Sequence, residues 1–391
     1  MNTLLHVLLY TAVLGTVTST IYCGMVLVAA LRFGRLRRQD NSIQPDYFPP
    51  VSVLKPLHGA EPGLEQSLET FFDQVYPEFE LIFCARQADD AGLQLAQRIG
   101  LRYQQVRARY ITCGEPEYPN AKMWSLAALA RAASYETLVT ADADARVLPN
   151  YLQRCVQGLK DGTELESCVY VGATDGGLVA ELDAVGKTVE MTAGVLVAQM
   201  LEGARFALGV TMVLRRESFA LAGGYDDLGQ YWAEDFVLGN RLADKGFGVR
   251  ISRHVIRIIV PPMGFWESFR NQVRWMKSTR RSRPAGHFGT GLTFAVPFGL
   301  MGLVWCLANS HVLLGLVWVL AVCVNRWVMA AGILWALGEA PLSRAAWIYP
   351  LRDLLGGVLW VGSYCGSTLY YHGGLYRLEP GGRFRRHEGG E

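Results

Sequence analysis

Four stretches of this chain are almost free of charge, and they limit its fold before any motif is read. Thr3 to Leu31 and Phe288 to Ser310 hold no Asp, Glu, Lys or Arg. Val312 to Gly338 is apolar except for Arg326, and Leu354 to Tyr371 is again uncharged. Each is close to or above the roughly 18–20 apolar residues that cross a bilayer. The middle of the chain, about 40 to 262, has the composition of a soluble α/β domain. The first segment is longer than a signal-peptide core and lacks a basic stretch before it, so it reads as a retained span. Arg32, Arg35, Arg37 and Arg38 follow it. By the positive-inside rule the middle domain is then cytoplasmic and the chain a multi-pass membrane protein. Three further spans would put the C-terminus outside, whereas the basic "GGRFRRHE" tail favours inside. Arg326 and Arg352-Asp353 blur the count. A lone intramembrane Arg is read as a paired residue inside a bundle.

A net charge of +2 over 391 residues gives no footprint for nucleic acid. Cys84, Cys113, Cys155 and Cys168 lie in the middle domain without metal-ligand spacing, and the other four are in apolar segments. They read as small, reduced, buried residues.

In the middle domain "PPVSVLKPLHG" (49–59) reads as a first strand and "FELIFCARQADD" (79–90) as a second. Leu64, Leu68, Phe71 and Phe72 have helical spacing between them. "AGLQLAQRIG" and "NAKMWSLAALARAASY" are further helices, the latter leading into the strand "TLVTADAD". Strands alternating with helices predict a mostly parallel sheet covered on both faces. Ligands of such sheets bind beyond the carboxyl ends of the strands.

Two acidic clusters fall at such ends: Asp89-Asp90 and the pair Asp142 and Asp144. Asp89-Asp90 also reads as a polar turn that starts the next helix, and Asp142-Ala143-Asp144 as a turn with a cap. Like charges on one side of a strand repel, and a divalent cation would relieve Asp142 and Asp144. Further on, "WAEDFVLGNRLADKG" is a helix with Glu234 and Asp235 in its first turn, where acids meet the helix dipole favourably. An ionised Asp235 there has what a general base needs. In "GFWESFRNQVRWMKSTRRSRPAG" (264–286), Trp266, Phe269, Val273 and Met276 share one apolar arc. Arg270, Arg274, Lys277 and Arg281 form a basic stripe beside it. This predicts an interfacial helix with the arc toward lipid and Trp275 toward protein.

Taken in order, "VSVLKPLHG", "FCARQADD", "PNAKMWSL", "TADADARV", "AGGYDDLGQYWAEDFVLGNRLADKG" and "NQVRWMKSTR" resemble the membrane-bound family 2-like glycosyltransferases of GT-A fold, and among these the ceramide glucosyltransferases of family 21. The resemblance runs over about residues 49–283. It implies a Rossmann-like α/β GT-A domain, with Asp89 or Asp90 on the uridine side of a UDP-sugar and Asp142 and Asp144 on a Mn or Mg ion at its diphosphate. It implies Asp235 as the base. It adds Lys55, Lys122 and Glu234 to the nucleotide-binding set, and gives Arg274 and Trp275 as the end of a Gln/Arg-x-x-Arg-Trp motif. The first position of that motif is Asn271 here, with Gln272 or Arg270 as substitutes.

The implied reaction is inverting transfer of a hexose, glucose by the resemblance, to a lipid hydroxyl, with ceramide as acceptor. The phosphate chemistry agrees, because a hard divalent ion on one or two carboxylates neutralises a diphosphate. A hopanoid-type acceptor with UDP-N-acetylglucosamine fits the same chemistry. A processive polysaccharide synthase shares the motifs but needs a polymer channel, for which about four spans are few. A non-catalytic scaffold would have no use for all three acidic sites. The expected layout is a transmembrane helix at 1–31, a basic linker at 32–48 and a catalytic domain at 49–262. An interfacial helix at 263–286, about three spans in 288–372 and a polar tail at 373–391 complete it.

Overall fold

Strand β1 (Val51–Pro56) buries both of its faces, and the reason is its place near the middle of an eight-stranded sheet. The computed structural model describes residues 2–371 and 374–386, so residues 372–373 and 387–391 of the expected last span and tail lie outside the described residues. Two units are distinguished: a sheet unit (39–173, 202–261, 368–391) and a helical unit (1–38, 174–201, 262–367).

In the sheet unit β1 is followed by β2 (Phe79–Ala85), β3 (Arg107–Thr112), β4 (Thr137–Ala141), β5 (Ala145–Arg146), β6 (Thr163–Ala173), β7 (Thr211–Arg215) and β8 (Gly248–Ile259). Their order is β3-β2-β1-β4-β7-β6-β8-β5. The half built from β3, β2, β1 and β4 is parallel. β7 runs antiparallel to both β4 and β6, so the expected parallel sheet becomes mixed in its second half. Alternate residues serve alternate faces. Val53, Leu81 and Phe83 pack with the helices Leu64–Phe72 and Ala91–Gly100. Leu54, Ile82 and Cys84 pack with Ala121–Ala132 and Glu234–Asp244. Each fully buried Leu or Ile contributes about 1.5–3 kcal/mol. Because β1 and β4 are parallel, their carboxyl ends reach the same rim of the sheet.

The tail is not simply polar. β9 (Thr368–Tyr371), β10 (Gly374–Leu378) and β11 (Phe384–Arg386) form an antiparallel sheet of their own. Its Leu369, Leu378 and Phe384 pack together with Trp232.

In the helical unit the first helix runs from Asn2 to Ser42, so the expected linker at 32–48 is helical over much of its length. Thr3–Ser42 and Val312–Leu337 are long and apolar enough to cross a membrane. Pro284–Gly291 and Val296–Ala308 form a pair bent by 42°, which counts as a third span if taken as one. The helix Arg344–Gly362 carries Pro350, Arg352 and Asp353 and does not qualify among the described residues. Among the described residues the C-terminal part thus holds one helix that meets this test, or two if the bent pair is one span, where three were expected. Arg326 is paired, as its setting demands. It donates to Asp353 Oδ1 (3.2 Å) and to the carbonyls of Thr293 (3.0 Å) and Ser19 (3.1 Å). Asp353 Oδ2 in turn accepts from the N–H groups of Ala295 and Val296 at 2.8 Å, capping the next helix.

Residues 174–201 lie within the expected catalytic domain yet belong to the helical unit. They form Leu178–Val185, a π-helical turn Gly186–Glu190 and Met191–Glu202.

Candidate active site

The rim of the sheet at the end of β4 gathers four ionisable groups from three elements. Asp142 follows β4 directly, Lys122 lies in the first turn of Ala121–Ala132, and Glu234 and Asp235 open Glu234–Asp244. Lys122 Nζ is 2.7 Å from Asp142 Oδ1 and 3.3 Å from Glu234 Oε1, and it donates to the Gly209 carbonyl at 2.9 Å. The two carboxylates raise its pKa above the ordinary lysine value even though burial opposes the charge. Asp142 is pushed up to about 6, by burial first, while Lys122 pulls the other way. Asp235 is likewise pushed up to about 6, by burial and then by the charge of Glu234. Its Oδ2 accepts from Gly209 N (2.5 Å) and its Oδ1 from Phe236 N (2.8 Å), bonds that favour the ionised form.

Asn120 holds this arrangement together. Its Oδ1 caps its own helix by accepting from Met123 N at 3.1 Å. Its Nδ2 donates to the Tyr231 carbonyl (2.9 Å) and to Glu234 Oε2 (3.0 Å). Asn120 was not picked out from sequence, although an Asn just before a helical run is an N-cap signal. Glu234 is only 6% exposed, with its two oxygens held by Asn120 and Lys122, beside the more open Asp235.

Lys55 is also drawn to this rim, but not as an open contact. Its ammonium is fully buried over the Phe71 ring, 4.0 Å from the centroid, and donates to the main-chain carbonyl of Asp142 at 2.5 Å. Burial pushes its pKa down to about 7, against the pull of Asp142 and Asp144. It therefore fixes the turn that carries the two acids. Asp144 is half-buried, and its carbonyl accepts from Ile259 N at 3.2 Å.

Asp90 starts the next helix. Its Oδ1 accepts from Gly92 N (2.9 Å) and Leu93 N (3.1 Å), and its Oδ2 from Gly59 N (2.8 Å). It caps Ala91–Gly100 and ties that helix to the loop after β1. Asp89 is exposed and leaves Asp90 as the only structural acid of the two.

Arg274 and Trp275 are on Phe265–Ser282 in the helical unit. The faces of that helix divide differently from the sequence expectation. Phe269 and Val273 lie over Gly362 of Arg344–Gly362, and Phe269 lines a cleft with Val179, Leu182 and Leu355. Phe269 and Val273, half of the arc assigned to lipid, are thus packed against helices, while Trp266 stays exposed and Trp275 is 61% exposed instead of facing protein. An apolar arc suits a neighbouring helix as well as it suits lipid, so the pattern alone cannot separate them. Asn271 has its Nδ2 3.9 Å from Met263 Sδ. Gln272 is buried, donating to Ser268 Oγ at 2.9 Å and accepting from Arg352, and Arg270 is exposed. Between the two substitutes for the missing motif position, Gln272 is thus already committed inside the helical unit.

The family profile described as Glycosyl transferase family 21 matches residues 8–384. Ceramide glucosyltransferase 1 of Caenorhabditis elegans is 25% identical over 225 residues, 57% of this chain and 48% of the relative. The ceramide glucosyltransferase of Komagataella phaffii is 30% identical over 146 residues, 35% of this chain and 29% of the relative. The chain thus spans about half or less of the length of these relatives. A mannosyltransferase from Pyrobaculum calidifontis, solved in complex with GDP-Man and Mn2+, superposes with a TM-score of 0.50 at 17% identity, covering 91% of this chain and 98% of that one. That likeness establishes the GT-A glycosyltransferase fold, and the profile match over nearly the whole length places the chain in Glycosyl transferase family 21.

Proposed function

We propose that this chain is a membrane-bound inverting glycosyltransferase that moves a hexose from a UDP-sugar to the hydroxyl of a lipid, with ceramide as the acceptor. The observation that carries the reading is the convergence of Asp142, Lys122, Glu234 and Asp235 at the carboxyl end of β4. Asp142 and Asp235 of this set are both raised to about 6, but Asp142 and Glu234 are paired with Lys122, which leaves Asp235 as the carboxylate for the acceptor. In the proposed step the acceptor oxygen attacks the anomeric carbon and Asp235 takes its proton. The bond to the diphosphate breaks, and UDP leaves with the electron pair. One displacement inverts the anomeric centre. Arg274 and Trp275 keep the role the family pattern gives them, charge and shape for the departing diphosphate.

Among the described residues no group of three or more His, Cys, Asp or Glu is arranged to hold a metal ion. Asp142 and Asp144 alone fit the weaker demand of an ion that takes one or two carboxylates and completes its shell from phosphate oxygens. They would hold a Mn or Mg ion, which would offset the diphosphate charge. Lys122 now sits on Asp142 and would share it.

The positive-inside reading places the sheet unit on the cytoplasmic side. Purified protein incubated with a panel of UDP-sugars and a total lipid extract is expected to yield a single new glycolipid by mass spectrometry, ceramide-based and lost on chelation. Transfer in excess chelator removes the metal. A glycosylated hopanoid or a polymer in place of the glycosphingolipid changes the acceptor, and no transfer from any donor overturns the reading.

A further inference from the structure

Residues 380–386 lie at the far end of the sequence from the acidic rim, yet they bond to the segment that leads into Asp235. The Tyr231–Arg383 pair forms an antiparallel bridge. Trp232 N donates to the Gly382 carbonyl (3.1 Å) and Phe384 N to the Gln230 carbonyl (3.0 Å). Gly381 and Gly382 adopt φ of 83° and 87°, which a side chain would strain, and that turn brings β11 back onto 230–232. The side chains then lock the bridge. Arg383 donates to the Tyr231 hydroxyl (3.0 Å) and to Asp227 Oδ1 (3.0 Å). Arg241 reaches the same hydroxyl (3.2 Å) and the other oxygen of Asp227 (2.5 Å). The two guanidinium carbons stand 5.1 Å and 5.2 Å from the Tyr231 ring centroid. The ring of Trp232 meets Phe384 edge-on at 5.2 Å. From there the connection to the rim is short, because the Tyr231 carbonyl is held by Asn120, which also holds Glu234.

We propose that the C-terminal sheet is a strap for the active site, with Arg383 a positioning residue that sets Tyr231 and Trp232 and so the first turn bearing Glu234 and Asp235. Its catalytic consequence rests on the reading of Asp235 as the base; its structural content does not. The bonds of the Arg383 side chain run to Tyr231 and Asp227. It acts through Tyr231, and it needs a charge that reaches both a phenol oxygen and a carboxylate, which a planar guanidinium supplies.

The test uses the full-length protein in detergent and the variants Arg383→Ala, Arg383→Lys, Tyr231→Phe and Arg385→Ala. Arg385 is an exposed neighbour on β11 and serves as the control. In Arg383→Ala, hydrogen exchange of the amides of 228–236 is expected to quicken roughly tenfold or more, with 121–132 unchanged. Turnover should fall on the order of 10–100-fold, the size of effect that a misplacement of about 1 Å has on catalysis. The donor KM should move less than threefold. Arg383→Lys should recover part of both losses, Tyr231→Phe should lose part of both, and Arg385→Ala should match wild type. If Arg383→Ala does not fold, the lysine and phenylalanine variants decide alone. Unchanged exchange at 228–236 in the variants, or equal quickening throughout the chain, overturns the strap. If wild type transfers no sugar, the proposed function fails while the exchange measurement still decides this one.

Discussion

Asp235 has both oxygens bonded to backbone N–H groups and still sits high on the pH scale, because burial and the neighbouring Glu234 outweigh those bonds. A base must be ionised to work, and a carboxyl raised to about 6 is protonated below that value. At saturating donor and acceptor, turnover should therefore rise about tenfold per pH unit below 6 and level off above it. A flat profile from pH 5 to 8 would remove Asp235 as the group that limits the rate. Asp235→Asn should keep donor binding and lose about 10²–10⁴-fold in turnover. Near wild-type turnover would leave Asp235 as a helix-start residue only. Asp142 and Glu234 could be found from sequence because each lies at a recognisable element end. Lys55 and Asn120 could not be placed, since what defines them is a contact with the Asp142 carbonyl or with Tyr231 and Glu234, far off in the chain. Nothing in the local pattern of either residue records those distances.

The helix Phe265–Ser282 was legible as a helix and illegible as to its faces. Phe269 and Val273 of its apolar arc meet other helices, and its polar Gln272 bonds to Arg352. Arg352, 4% exposed, donates to Gln272 and, through Nε, to Glu190 Oε2 at 2.9 Å. Glu190 ends the π-helical turn, whose Gly186 leaves room for the guanidinium: a Cβ there would come within 2.5 Å of Arg352 Cζ. Three helices distant in sequence are thus joined at one cation. Residues 174–201 carry no distinguishing signal in sequence, because their moderate hydrophobicity fits a soluble helix as well as a buried one. Arg352→Met strands Glu190 and should destabilise the protein by about 3–5 kcal/mol, as breaking buried ion pairs does. The double variant Arg352→Met with Glu190→Met should regain most of that loss, because an apolar pair of similar volume replaces the ion pair. Thermal unfolding in detergent measures both. A double variant no more stable than the single one would mean that Glu190 is not the partner that matters. Gly186→Val should fail in the same direction as Arg352→Met, by pushing the guanidinium out of its place.

At the scale of the whole chain, the tail sheet bears on a question that hydropathy left open. β9 to β11 belong to the sheet unit, and Gly382, Arg383 and Phe384 bond to Trp232, Tyr231 and Gln230, so residues 368–371 and 374–386 are on the same side of any membrane as the acidic rim. If the chain between Pro261 and Thr368 crosses a membrane, it does so an even number of times. The bent pair 284–308, if it is one span, and the helix Val312–Leu337 would supply two crossings, whereas Arg344–Gly362, with Arg352 and Asp353 buried in it, does not meet the length and composition of a span. The basic tail and the span count conflict only if that last helix is taken as a span, and its charged residues are the reason not to. Single cysteines test this in sealed vesicles, in a background where the exposed Cys365 has been replaced. Asp161→Cys lies on the sheet unit, Arg385→Cys on the tail, and Ser310→Cys in the exposed loop between the two C-terminal crossings. A membrane-impermeant thiol reagent should label Asp161→Cys and Arg385→Cys from one face and Ser310→Cys from the other. Labelling of Arg385→Cys together with Ser310→Cys would mean an odd number of crossings. The tail could then not hold Tyr231, and the strap would fall along with the topology.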